Sequence, residues 1–313
     1  MTNPLSRLVV PWYPAAALGL EHGTATIVQL ERGRDDIARI RRAATLTLSE
    51  SLVRPSFNEP NISDLSELAT ALRELAASAG LLKQRRWSVS LPEAAVRTLI
   101  VTLETSPSTK AELEEILSWK IERGFGVGLD EITTSRWRLS ADAQGKARYL
   151  IVAVHRSVLA EYESVFAALG WRVGLLLPRH MGESQWLTKN GFQGDALLLS
   201  ASTDGFTAVV YRDKQPLVFR AVSCEPEECE DELYRLLMFY RDRRGGDNNA
   251  TLSRLLVLGS AFPKARAVDI ANETLGTSLR ALAATDVGLE LPGSELPFDT
   301  VAAPAGLATL SWQ

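Results

Sequence analysis

Short apolar runs separated by polar turns recur along this chain, and two stretches repeat one plan. In the first, Ala15-Ala16-Ala17-Leu18-Gly19-Leu20 is an apolar run of strand length, closed by the turn Glu21-His22-Gly23. Thr24-Ala25-Thr26-Ile27-Val28-Gln29-Leu30 follows, then the turn Glu31-Arg32-Gly33-Arg34 and the run Ile37-Ala38-Arg39-Ile40. The second begins with Ala196-Leu197-Leu198-Leu199-Ser200-Ala201-Ser202 and turns at Thr203-Asp204-Gly205. It continues through Phe206-Thr207-Ala208-Val209-Val210-Tyr211, turns at Arg212-Asp213-Lys214 and closes with Leu217-Val218-Phe219-Arg220. Each first turn holds a glycine, as tight hairpins that need positive φ favour, and β-branched residues follow it. Two three-stranded meanders, each heading half of the chain, predict a duplicated α/β fold. Two unrelated meanders would give the same pattern.

A different unit lies between them. Trp87-Ser88-Val89-Ser90-Leu91 and Val96-Arg97-Thr98-Leu99-Ile100-Val101 predict strands. Thr109-Lys110-Ala111-Glu112 is a capping box for a helix with Leu113, Ile116, Leu117 and Ile121 on one face and a stop at Gly124. The strand Tyr149-Leu150-Ile151-Val152-Ala153-Val154 precedes a helix bearing Val158, Leu159, Tyr162, Val165, Phe166 and Leu169, closed by Gly170. Together these predict an inserted α/β domain over residues 85–173. Upstream, Asp64-Leu65-Ser66-Glu67 opens a helix with Leu68, Leu72 and Leu75 that ends at Gly80. Near the C-terminus, Pro292-Gly293-Ser294-Glu295 reads as a loop and Val301–Ala308 as a short closing helix.

Composition narrows the function classes. At 313 residues, 46% hydrophobic and 23% charged, the chain is large enough to need two or more subdomains. A net charge of −4 gives no general attraction to nucleic acid or anionic lipid. Arg241-Asp242-Arg243-Arg244 reads as a solvated helix end. Cys224 and Cys229 lack a second pair and a nearby histidine, so free thiols in a reducing compartment are expected rather than zinc or a disulfide framework. No run approaches the ~18 apolar residues of a membrane span. Met1 to Val10 lacks the charged start and apolar core of a signal peptide, so a cytoplasmic location is expected.

Candidate chemistry is sparse. His22, His155 and His180 are scattered without metal or triad spacing and read as turn or strand-end residues. Gly124-Phe125-Gly126-Val127-Gly128 follows a helix rather than a strand, which removes the context of a phosphate loop. Trp119, Trp137 and Trp171 read as core or domain-packing residues.

The order of these elements resembles the PilM family of type IV pilus assembly proteins and, more distantly, FtsA. The resemblance rests on several stretches in that order. They are Leu91-Pro92 with Val96–Thr102, the Glu112–Arg123 helix, Gly128-Leu129-Asp130-Glu131-Ile132, and Leu150–Val154 with the helix ending Ala168-Leu169-Gly170-Trp171. Leu237-Met238-Phe239-Tyr240-Arg241 and Pro304-Ala305-Gly306-Leu307-Ala308 complete it. It implies a duplicated actin-like (ribonuclease H-like) fold with an inserted small α/β domain. Residues 1–84, 174–192 and about 303–313 would form the first lobe, and 193–302 the second.

In nucleotide-binding relatives an Asp-x-Gly in each of two turns orders Mg²⁺ and cradles phosphates, and a glycine-rich strand end closes over adenosine. Here the first turn keeps Gly23 but carries Glu21, the second stretch is Ser200-Ala201-Ser202, and Leu256-Val257-Leu258-Gly259-Ser260-Ala261 holds one glycine. The resemblance thus implies a vestigial cleft at Glu21, Gly23, Thr24, Ser200, Ser202, Gly259 and Ser260. Only about 16 residues separate Arg220 from Leu237, so the outer subdomain of the second lobe is expected to be reduced or absent. ATP hydrolysis, catalytic residues, a metal and a resident cofactor are not expected, while weak Mg-ATP binding stays open.

The implied role is that of a cytoplasmic adaptor, peripheral to the inner membrane through a partner. It would bind the short cytoplasmic N-terminal segment of a PilN-like membrane protein and meet other inner-membrane pilus components. The expected groove lies between the first lobe and the insert, lined by Ile116, Trp119, Lys120, Arg123 and Phe125; packing inside the insert is the alternative for its apolar members. Two rival readings are the cytoplasmic domain of a GspL-like type II secretion protein and an actin-fold ATPase or kinase with relaxed motifs.

Overall fold

Both meanders form, each as part of its own sheet. The computed structural model describes residues 13–34, 37–188, 194–243, 251–259, 262–293 and 296–312. Met1 to Val10, Arg244, Ser260-Ala261, Ser294-Glu295 and Gln313, all used in reading the sequence, lie outside the described residues.

β1 (Ala16–Glu21), β2 (Thr24–Arg32) and β3 (Ala38–Thr47) pair antiparallel. α1 (Leu65–Ser78) then lets β4 (Arg86–Leu91) pair parallel with β1. The chain next leaves the sheet to build β5 (Val96–Thr102), α2 (Lys110–Phe125), β6 (Ile132–Leu139) and β7 (Arg148–His155), a separate antiparallel sheet in the order β5-β7-β6. α3 (Arg156–Ala168) and β8 (Arg172–Pro178) return it to the first sheet, where β8 lies parallel to β4.

α4 (Arg179–Thr188) leads into β9 (Asp195–Ser202), β10 (Gly205–Arg212) and β11 (Gln215–Ser223), the second antiparallel meander. α5 (Cys229–Arg243) precedes β12 (Leu252–Leu258), parallel to β9, and α6 (Lys264–Leu275) follows. The chain ends with β13 (Leu289–Glu290), paired with β3, and α7 (Phe298–Thr309). The sheets read β13-β3-β2-β1-β4-β8 and β11-β10-β9-β12. Each contains a meander whose first strand takes a parallel neighbour after a helix, and that shared topology is the duplication. Only residues 224–228 connect β11 to α5, so no outer subdomain stands there.

Two boundaries differ from those expected. Trp87–Leu91 belongs to the first sheet, not to the insert: Trp87 and Val89 are sealed in a core shared with Val158, Tyr162 and Phe166 of α3. The insert's own sheet therefore spans 96–155 rather than 85–173. Trp171 packs on Trp87, 4.6 Å between ring centres, in the first-lobe core. Likewise β13, placed with the second lobe by the sequence, adds to the first sheet.

Local signals explain the helices. Asp64 caps α1, its Oδ1 accepting from the N–H groups of Ser66 and Glu67 at 2.8 and 2.9 Å. Thr109 caps α2 through Glu112 N–H, but the Glu112 carboxylate reaches back to Ser108 rather than to Thr109. Gly124 does not stop α2. The helix runs to Phe125, and Gly126, at φ 72°, takes the left-handed cap position.

α4 and α7, which cross between the lobes, approach backbone to backbone at Gly182 and Gly306. A Cβ on Gly306 would lie 1.9 Å from the Gly182 carbonyl oxygen, and one on Gly182 would lie 2.3 Å from that of Ala303. Trp186 Nε1 donates to the Ala302 carbonyl at 2.7 Å and fixes the same crossing.

Candidate functional site

At the floor of the cleft, where β1 ends and α4 begins, five charged or titratable side chains converge. Arg179 is 8% exposed and lies between two acids: Nε donates to Glu183 Oε1 at 2.7 Å and Nη1 is 3.4 Å from Glu21 Oε2. One turn of helix places Arg179 and Glu183 on the same face. Glu183 is fully buried, and its Oε2 has no hydrogen-bond partner. His180 Nδ1 bonds Glu93 Oε1 at 2.7 Å, and its backbone N–H donates to Glu93 Oε2 at 3.2 Å. The second lobe closes over this floor: the ring of Phe219, on β11, lies 4.9 Å from that of His180, and Tyr211 donates to Ser184 at 2.5 Å.

Electrostatics divides the acids. Burial pushes the Glu21 carboxyl up to about 7; Arg179 opposes this, and the carboxylates of Glu183 and Glu93 reinforce it. Glu93 goes the other way: burial works against its charge, but His180, by charge and hydrogen bonds, holds its pKa below the ordinary range. Burial disfavours the Arg179 charge, yet Glu183 and Glu21 outweigh it and raise its pKa.

A pH dependence follows. Between its ordinary value of 4.5 and about 7, folded Glu21 keeps a proton that the unfolded chain has lost. Its contribution to stability is therefore complete on the acid side and is lost as pH rises to about 7. Glu93 acts in the opposite sense, below its ordinary value. About a third of the Glu21 side chain meets solvent (32%), so screening makes the slope shallower than for a sealed acid. Urea midpoints should fall from about pH 5 to about pH 7, and Glu21→Gln should flatten that slope. An unchanged slope in the variant would assign the titration to another group.

The acid of the first turn, Glu21, already faces an internal cation, Arg179. Gly23, at φ 70°, and Thr24 close the β1–β2 hairpin. In the second lobe Ser200 is a buried strand residue, and the Ser202 hydroxyl lies 3.4 Å from the Gly205 carbonyl across the β9–β10 hairpin. The turn there is Thr203-Asp204, where the sequence places it. A Cβ on Gly259 would lie 2.1 Å from the Ala201 carbonyl oxygen, so the tip of β12 is pressed on β9. Ser260 lies outside the described residues. Among the described residues no group of three or more His, Cys, Asp or Glu is placed to hold a metal ion.

The structure divides the expected partner-binding residues. Trp119 is 55% exposed, and the guanidinium of Arg123, also exposed, lies 5.2 Å from the centre of its ring. Ile116 and Lys120 are half-buried beside them. Phe125 is not a groove residue: it is 3% exposed within the insert's core, 6.4 Å from Phe57 of the first lobe. Arg97 covers Phe57 at 4.5 Å and donates to the Phe125 carbonyl at 2.8 Å. These contacts fill the seam between first lobe and insert at that point. On its other side the insert is fastened to the second lobe, where Arg148 donates to the carbonyls of Pro216 and Leu217 at 3.0 and 2.9 Å.

His22 is an exposed turn residue, and His155 ends β7 with Nδ1 2.8 Å from the Ser157 hydroxyl, both as expected. His180 is neither a turn nor a strand-end residue; it is 2% exposed and bound to Glu93. The cluster of Arg179, His180, Glu183 and Glu93 was not anticipated. Its signal lies in Arg179-His180-x-x-Glu183, a charged pair one helical turn apart directly after the apolar strand Val173–Pro178.

No family model matches the chain, and no curated protein sequence does. Among solved structures it superposes on a PilM–PilN type IV pilus biogenesis complex with a TM-score of 0.72 and 16% identity, over 96% of this chain and 98% of that one. A Bacteroides thetaiotaomicron protein of unknown function with an actin-like ATPase fold gives 0.52 at 10% identity, with both chains covered completely. The cytoplasmic domain of EpsL, from the Vibrio cholerae type II secretion system, gives 0.48 at 14% identity over 95% and 93%. The chain thus has the actin-like fold seen in PilM. No helix among the described residues is long and apolar enough to cross a membrane.

Proposed function

We propose that this chain is a scaffold of type IV pilus assembly that works without nucleotide and holds the N-terminal tail of a PilN-like inner-membrane protein. The superposition on PilM, in its complex with PilN, over nearly the whole of both chains carries the proposal. Arg179 supports the absence of nucleotide chemistry, because an internal guanidinium neutralises the acid that would order a metal. The working location is the cytoplasmic face of the inner membrane, reached through the partner.

Tail capture is assigned to the outer face of α2. Trp119 offers a large apolar surface at the solvent boundary, and Arg123 adds a charge against its ring. Interfaces concentrate their energy in a few such residues. Trp119→Ala should weaken capture of a PilN-like N-terminal peptide by about 1–3 kcal/mol. It should melt like the parent, because a half-exposed side chain leaves no cavity. Anisotropy titration beside thermal melts reads both effects. Equal binding by a variant that melts normally would remove α2 from the proposal. In calorimetry, Mg-ATP should give no saturable heat; a dissociation constant of about 1 μM, near −8 kcal/mol, would defeat the nucleotide-free reading.

A further inference from the structure

The first sheet ends in an open edge. β13 pairs with β3 only at Ala38 and Arg39, and from Ile40 to Thr47 the outer side of β3 has no strand partner among the described residues. Proteins usually protect such an edge with charge, and Arg39, Arg41 and Arg42 do so in the half beside β13. Ala43-Ala44-Thr45-Leu46-Thr47 has no such protection. Where this half runs beneath the start of α1 there is a groove of about 450 Å³. Leu46, Leu48, Leu52 and Ala71 give it apolar walls. Glu67 and Glu74, two helical turns apart on α1, line it and are exposed. Neither makes an ion pair among the described residues.

We propose that this groove docks an extended, basic segment of a protein partner, added as a strand beside Ala43–Thr47. Free N–H and C=O groups along the edge supply main-chain pairing, as in other cases of strand addition. Because strand side chains alternate, one set on the added segment points toward α1. There the apolar walls accept aliphatic groups or the stems of lysine and arginine, and Glu67 and Glu74 accept their charges. The site is separate from tail capture on α2 and does not depend on it.

The probe is a fluorescein-labelled peptide of about eight residues, alternating lysine and valine, which at ~3.3 Å per residue matches the reach of the edge. It is titrated against the full chain by anisotropy. Saturable binding is expected, with loss of about tenfold or more in the Glu67→Lys/Glu74→Lys double variant. The same loss is expected when alternate amides of the probe are N-methylated, which removes strand pairing and leaves the charges in place. Both glutamates are exposed, and a melt like the parent's confirms that the double variant is folded. An N-methylated probe that binds equally well would reduce the effect to general charge attraction and overturn strand addition. Equal binding by the double variant, or no binding of the unmethylated probe, would overturn the groove.

Discussion

Arg179→Met should cost about 3–5 kcal/mol of stability, the expected loss when one partner of a buried ion pair is removed. The side chain it replaces lies between Glu183, wholly buried, and Glu21. Methionine fills much of the same volume, so the cost falls on the carboxylates rather than on packing. Glu183 has the most to lose. Its Oε2 already has no partner, and without Arg179 its Oε1 would lose the 2.7 Å bond as well. Adding Glu183→Gln to Arg179→Met should recover part of the loss, because an amide carries no charge to strand. Urea unfolding near neutral pH measures both variants. A single variant within about 1 kcal/mol of the parent would show that Arg179 is not the counterion of the cleft floor.

That cluster marks where the sequence stopped being legible. The meanders could be read because alternation and turn glycines are local properties, and Gly23 and Gly205 do take positive φ at the first turn of each. Which sheet a buried strand joins is not local. Trp87–Leu91 is apolar and strand-sized whether it opens the insert or pairs with β1, and only the parallel register of Ala17–Gly19 with Ser88–Ser90 decides it. The site shows the same limit. Arg179, His180 and Glu183 look like ordinary helix polarity, because their meaning depends on Glu21 and Glu93, distant in sequence. Phe125 is a different case. Leu117, Ile121 and Phe125 follow at four-residue spacing, which puts all three on one face of α2 and therefore in the core. Trp119 lies on the opposite side of the helical wheel and is exposed.

Gly306→Ala should destabilise the protein by about 3 kcal/mol, the upper end of ordinary overpacking. The reason is the identity of the clashing atom. A new methyl would stand 1.9 Å from the backbone oxygen of Gly182, and a helix carbonyl cannot turn aside as a flexible side chain can. α4 and α7 would have to separate. Trp186, whose Nε1 bonds the Ala302 carbonyl across the same crossing, would be pulled with them. α7 also lies over the first sheet, where Pro304 is 3.1 Å from the Cβ position of Gly19, so it has little room to retreat. Gly182→Ala should cost a similar amount, because its methyl would meet the Ala303 carbonyl at 2.3 Å. The double variant should cost clearly less than the two single losses together, because helices already separated by one methyl make room for the other. A denaturation cycle over the four proteins reads this coupling. Single variants near the parent, or strictly additive losses, would mean that the lobes are not held at this backbone contact.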